Sequence, residues 1–386
     1  MLLTTRRSQV AASLTLIAMF GGVSLSLGSR AVTPSIPERI SDDTFWRMVS
    51  DFSEPGGFFR SDNFVSNEIT FQWVLPEIAK TTKTGGVYMG VGPDQNFTYI
   101  VAMQPKIAFI VDIRRQNMLH HLLYKALLEM SPDRAEFLSR LFSRPRPAGL
   151  EGDAGAPALF QAYANAPADS ALFARNLASV KEQLVTKHKF ALTSDDLRTI
   201  EYVYTAFFAA GPDLTYSFTM PGRGSSMMFY GRRMPTYAEL MMENDGTGTQ
   251  RSYLANEANY RVLRDLEKNN LIVPLVGDFA GDKALRSVGQ YVKQHGATVT
   301  AFYTSNVEQY LFQSDDWRKF FTNVGTLPLD SSSTFIRAVF NFNTVPSQSG
   351  TPGPRSRTML APIAEQVAAF ANGDLKSYWD VIQTSR

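Results

Sequence analysis

Two short apolar runs, Val87 to Val91 and Ile107 to Ile113, begin twenty residues apart, with room between them for one short helix over residues 95–104 before Pro105. Both are rich in β-branched and aromatic side chains, and the second is nearly unbroken, the pattern of a strand covered on both faces. A clear amphipathic helix follows from Arg115 to Met130, with Leu119, Leu122, Leu123, Ala126, Leu127 and Met130 on one stripe. Parallel neighbours need a crossover rather than a hairpin, so strand, helix, strand, helix predicts a βαβ unit. That unit restricts the chain to folds with a parallel sheet buried between helices.

The rest of the chain extends the unit. Ahead of it, "SDDTFWRMVSDFS" opens a helix at Ser41, "SEPGGFF" breaks it, and residues 67–80 read as a second helix that Pro76 ends or kinks. After it, residues 143–193 are rich in Pro, Ala and Gly, with helical patterns at 170–188 and 195–209, the latter with Ser194 as a cap. A polar, Gly-rich loop and a long helix follow. Alternation then resumes with strands at 271–276, 298–303 and 334–341 and helices at 284–295, 315–321 and 359–370. The expected architecture is α/β: a doubly wound, mostly parallel Rossmann-like sheet with a mainly helical insertion. Residues 32–142 and 266–386 form the two parts of the core, and 143–265 the insertion and its loop.

Composition excludes several classes. Hydrophobic residues at 44% and charged residues at 19% support a packed core and not a disordered chain. A net charge of +2 supplies no basic field, so nucleic acid is not evident as a partner. The chain has no cysteine, which removes disulfides, thiolate nucleophiles and sulfur-ligated zinc. The histidines, 120, 121, 188 and 295, have no metal-ligand spacing, and no metal site is expected.

Residues 1–31 carry Arg6-Arg7 ahead of an uncharged stretch from Ser8 to Ser29, the layout of a signal peptide, and the stretch is also long enough for a membrane anchor. "TTRRSQV" is similar to a twin-arginine signal. The expectation is an exported protein, periplasmic or of the cell envelope, or anchored in the inner membrane if the segment stays uncleaved; the membrane is a partner only through this segment.

The ends of the two strands carry the polar residues. In a βαβ unit, glycines after the first strand let the backbone approach a ligand, and an acid ending the second strand binds ribose hydroxyls. Gly90 and Gly92 occupy the first position and Asp112 the second. Asp94 and Asn96 are ligand contacts or caps of the following helix. Arg114 and Arg115 either offer planar donor forks to a carboxylate or phosphate, or one is solvated while the other pairs with an acid such as Asp94 or Asp112.

The strings "VYMGVGPDQN" and "FIVDI", with "VGDFAG" further on, resemble the nucleoside-binding edge of the class I S-adenosylmethionine-dependent methyltransferase superfamily. The resemblance covers residues 64–130 and 271–342. It implies S-adenosylmethionine as cofactor, with Gly90 and Gly92 bordering the methionine part, Asp112 the ribose, and Asp278 and Phe279 the adenine. Two positions depart from the pattern: Tyr88 stands where the superfamily has an acid, and Asp94 where it has a third glycine. "GGVYMGVGPDQNFTYI" and "FIVDIRRQN" also resemble an uncharacterised group of bacterial, often exported proteins. The expected function is therefore a methyltransferase-like protein that binds a small nucleoside ligand, with an unknown acceptor. The alternatives are a non-catalytic exported binding or envelope protein on the same scaffold, and a dinucleotide-dependent oxidoreductase, for which Gln95 replaces the third glycine.

Overall fold

The computed structural model describes residues 35–150, 152–216, 234–340 and 356–386. Residues 1–31, expected to direct export, and most of the Gly-rich loop lie outside them. From the N-terminus come helices α1 (Asp42–Phe52) and α2 (Leu75–Thr81), strand β1 (Val87–Gly90), helix α3 (Gln95–Met103), strand β2 (Ile107–Asp112) and helix α4 (Arg115–Met130). Helix α5 (Arg134–Phe142) closes the first part of the core, and the insertion holds α6 (Ala156–Ala164), α7 (Ser170–Lys181), α8 (Ser194–Ala210) and α9 (Tyr237–Met242), with a π-helical turn over Glu182–Lys187. Helix α10 (Glu257–Lys268) then leads into β3 (Ile272–Val276), α11 (Ala284–Gln294), β4 (Val299–Ser305), α12 (Val307–Gln313), α13 (Trp317–Val324), β5 (Thr334–Val339), β6 (Arg357–Pro362), α14 (Ile363–Ala371) and α15 (Tyr378–Gln383).

The strands form one sheet in the order β3-β2-β1-β4-β5-β6, parallel except for β6, which runs antiparallel to β5. This is a doubly wound α/β fold whose direction of winding reverses between β1 and β4. Strands β1, β2, β3 and β5 are buried along their whole length, which is why they read as largely apolar runs, with Arg337 of β5 buried as the exception. The insertion enters between β2 and β3, and its helices α7 and α8 pack on α4 within the same hydrophobic core as the sheet.

Local signals placed several ends. Ser41 accepts from the Thr44 amide at the start of α1, and Asp133 from the Glu136 amide at the start of α5. The cap of α8 is Thr193, in a reciprocal box with Asp196, and Ser194 is the first helical residue. Three expectations need correction. Residues 67–74 are not helical: Pro76 sits in the first turn of α2, where its missing N–H costs nothing, so it opens the helix and does not end it. No helix is expected between the strand at 298–303 and residue 315, yet Val307–Gln313 form α12, an extra helix ahead of α13. The first part of the expected helix 359–370 is β6, drawn into extended form by pairing with β5 from Thr334↔Pro362 to Val339↔Arg357.

Candidate functional site

A doubly wound sheet takes ligands at the carboxyl ends of its strands, beside the reversal point. Here β1 ends at Gly90 and turns through Val91, Gly92 and Pro93 into α3. Gly92 has φ +78, the left-handed region open to glycine. The β1/β2 register ends at Gly90↔Ile110, and Asp112 closes β2 two residues further on, at the same end of the sheet as the turn that carries Gly92.

The turn is held from inside by Asn96. Its Nδ2 donates to the carbonyls of Val91 (2.9 Å), Gly92 (3.3 Å) and Pro93 (2.7 Å), and its Oδ1 accepts from the Tyr88 hydroxyl (2.8 Å). A methyl group on Gly90 would overlap Asn96 Oδ1. The space beside Gly90 is thus filled by the protein's own amide. Asn96, expected at the ligand, is fully buried and its polar atoms are spent on the turn. Tyr88, in the acid's place, has its hydroxyl spent on Asn96.

Asp112 and Arg114 form one unit. Asp112 Oδ1 accepts from the Arg114 backbone N (2.9 Å) and Nε (3.0 Å), and Oδ2 from Nη2 (2.8 Å). The remaining Arg114 nitrogen, Nη1, donates to the carbonyls of Ser61 (3.1 Å) and Asp62 (2.5 Å). Both side chains are buried. Against the cost of burial, Asp112 holds the Arg114 guanidinium above its usual range. Arg115 forms a second fork with Asp196 of α8, which settles the alternatives open in the sequence: each arginine has its own acid.

The carbonyls on Arg114 belong to a strap, residues 53–68, that crosses the strand ends. Glu54 N donates to Val276 O (2.8 Å) at β3, and Gly57 N to Ile113 O (2.7 Å) just past β2. The Glu54 carboxylate accepts from the amides of Asp278 (3.1 Å), Lys283 and Ala284 (both 2.7 Å), capping α11 with an acid. At the far end Glu68 reaches the reversal point. Its Oε1 accepts from the Tyr303 hydroxyl (2.8 Å) and Ser305 Oγ (2.5 Å), and its Oε2 from Gln95 Nε2 (2.8 Å). Burial pushes the Glu68 carboxyl up.

The other expected site residues are dispersed. Asp94 is buried and turns toward the insertion, where Tyr253 donates to its Oδ2 (3.0 Å); burial raises its pKa to about 7. Asp278 is half-buried and accepts from the Ala280 amide, so its side chain stabilises its own turn. Phe279 is in the core, stacked on Phe320 and edge-on to Phe302, so it offers no face to an adenine. The structure therefore brings Gly92, Asp112 and Arg114 to one edge, and assigns Gly90, Asp94, Asn96 and Phe279 to internal packing. Glu68 and the strap went unread in the sequence: Glu68 lies in a stretch with helical periodicity, and the strap showed only as a helix break. The available signal was a lone acid in the otherwise uncharged run from Phe64 to Pro76. Among the described residues no group of three or more His, Cys, Asp or Glu is placed to hold a metal ion, and no helix is long and apolar enough to cross a membrane.

Sheet order, the reversal beside β1 and an acid ending β2 define a doubly wound α/β protein of Rossmann-like architecture. Within that class, residues 63–151 and 156–355 match the family described as a domain of unknown function (DUF7790), and the chain belongs to that family. The match begins inside the strap and spans Glu68, Gly92, Asp112 and Arg114, while Glu54, Gly57, Ser61 and Asp62 precede it. No curated protein matches the chain.

Proposed function

We propose that this protein binds a nucleoside-type small molecule, S-adenosylmethionine or a related adenosyl compound, along the edge formed by Gly92, Asp112 and Arg114. The observation that carries this reading is the position of Asp112: an acid closing β2, the strand next to β1 with its glycine turn, near the reversal of the sheet. Its oxygens face Arg114, whose other hydrogen bonds go to strap carbonyls, so ligand entry requires the strap to shift and the fork to share its acid with ribose hydroxyls. Methyl transfer to an acceptor is the activity this ligand would serve, by proximity and orientation. Export through residues 1–31 belongs to the same proposal; the expected mature N-terminus lies near Ala31, readable by sequencing of the secreted protein.

A second reading, a non-catalytic binding or envelope protein on this scaffold, is favoured by one specific observation: Asn96 fills the space beside Gly90 and Tyr88 replaces the acid. The test is to denature protein purified from the cytoplasm as residues 32–386, identify any released molecule by mass spectrometry, and titrate S-adenosylmethionine and S-adenosylhomocysteine calorimetrically. A bound adenosyl compound is expected, with affinity reduced about tenfold or more in Asp112→Asn. No released nucleoside and no heat with either compound would leave the second reading.

A further inference from the structure

His188 lies between two carboxylates from distant parts of the chain. Its Nδ1 is 3.0 Å from Asp42 Oδ1 at the start of α1, and its Nε2 is 2.6 Å from Glu129 Oε2 in the last turn of α4. A neutral imidazole has one N–H and one lone pair, so in this position it turns a lone pair on one of the two oxygens. Only the imidazolium gives an N–H to both. The π-helical turn sets the arrangement up: the His188 amide donates to Gln183 O (3.0 Å), and Gln183 Nε2 donates to the same Glu129 oxygen (2.8 Å). Against the cost of burial, Glu129 holds the His188 imidazole above its usual range, and His188 with Lys125 holds the Glu129 carboxyl below its own.

The charges around the pair leave its state to this one proton. Lys125 of α4 is buried, with Nζ 2.7 Å from Glu129 Oε1 and a hydrogen bond to Glu267 O (2.5 Å). Glu267 of α10 is equally buried, its Oε2 receives no hydrogen bond, and burial pushes its carboxyl up to about 8. Below that pH it carries no charge, Lys125 and Glu129 cancel, and Asp42 is left facing the imidazolium. Asp43 and Arg47 of α1, and Glu182, Lys187 and Lys189 around His188, are exposed to solvent, which screens them. Lys181 of α7 pairs with Glu201 of α8 (2.8 Å).

The element held in this way is α1. Phe190 stacks on the His188 ring (centroids 5.0 Å apart) and on Trp46 (5.0 Å) and Phe45 (5.3 Å) of α1, so the imidazole and that helix share one aromatic stack. Helix α1 runs at Ser53 directly into the strap that crosses the strand ends. We propose that His188 is a proton-operated clasp: charged, it joins α1 to α4 and fixes the leading end of the strap; neutral, it lets both loosen. A group whose proton is held more tightly in the closed state gives its full stabilisation below the free value, 6.5 for histidine, and loses it as pH rises through the higher value of the closed state. The clasp therefore opens as the solution turns alkaline. It is independent of the identity of the ligand.

Hydrogen exchange, corrected for the chemical rate at each pH, measures the opening of α1 and of the strap amides Glu54 and Gly57. The comparison is between wild type and His188→Gln, which keeps a donor for Glu129 and does not titrate. The increase in α1 opening from pH 6 to pH 8 is expected to be about threefold or more larger in wild type, the ceiling for one released proton being about tenfold per pH unit. Glu54 and Gly57 are expected to follow α1. Equal increases in the two proteins overturn the clasp. An excess in α1 without one at Glu54 and Gly57 overturns its link to the strap. Should His188→Gln fail to fold, Asp42→Asn removes the charge on α1, keeps an acceptor for Asn270 Nδ2 (2.8 Å), and is expected to show the same loss of pH dependence.

Discussion

Replacement of Gly90 by alanine distinguishes a glycine kept for a ligand from one kept for internal packing. The added Cβ would lie 2.9 Å from Tyr88 Cε1 and 3.0 Å from Asn96 Cγ, and would overlap Asn96 Oδ1. Asn96 must swing away, releasing its bonds to Val91 O, Gly92 O and Pro93 O and the bond from Tyr88. Two amide hydrogens and one accepted bond make about three full hydrogen bonds, so at about 1 kcal/mol net for each the loss is about 3 kcal/mol of stability. Asn96→Ala loses the same bonds and is expected to cost about as much. Because Asn96→Ala also removes the main side chain that the new methyl group strikes and frees the Tyr88 ring to shift, the double mutant should be close in stability to either single mutant. The coupling is then about 3 kcal/mol, far from additivity. Urea unfolding followed by tryptophan fluorescence measures all four species. Two outcomes would falsify the packing role: Gly90→Ala within about 0.5 kcal/mol of wild type, the range of a neutral substitution, or additive single mutants. A stable Gly90→Ala that no longer binds nucleoside would return Gly90 to the ligand.

Burial keeps Asp94 protonated to about pH 7, against 3.8 for the free side chain. Between those values the folded protein holds a proton that the unfolded chain has lost, so stability contributed by this group falls as pH rises through the window. Asp94→Asn keeps an acceptor for Tyr253 and should flatten the decline; equal pH slopes for wild type and variant from pH 4 to pH 7 would count against this. Arg337 of β5 and Glu308 of α12 form a buried fork (2.7 and 2.9 Å). Arg337→Met strands the carboxylate and is expected to cost about 3–5 kcal/mol, while adding Glu308→Leu should recover most of the loss; chemical denaturation of the three proteins checks both statements.

The strands were legible because a strand buried on both faces must be apolar at consecutive positions, and few other local structures produce runs such as Ile107 to Val111. Helix α4 was legible from its stripe of leucines, and Asp112 from its place after an apolar run. What misled were positions whose state depends on a distant partner. Met359 to Pro362 carry a helical pattern, yet β5 offers an unpaired edge and the segment takes it. Phe279 follows a Gly-Asp turn suited to a base, but Phe302 and Phe320 claim its faces.

The sequence by itself determined the βαβ start, the interruption between β2 and β3, and the cluster of polar residues where strands end, since each follows from local periodicity and turn chemistry. Only the tertiary structure decided which of those polar groups meet at the strand-end edge and which are consumed internally. Hydrogen bonds such as Arg114 to Ser61 and Asp62, or Glu68 to Ser305, join residues 52 to 237 positions apart. Their partners are set by the packing of the strap over the sheet, and no local pattern in either segment encodes the other.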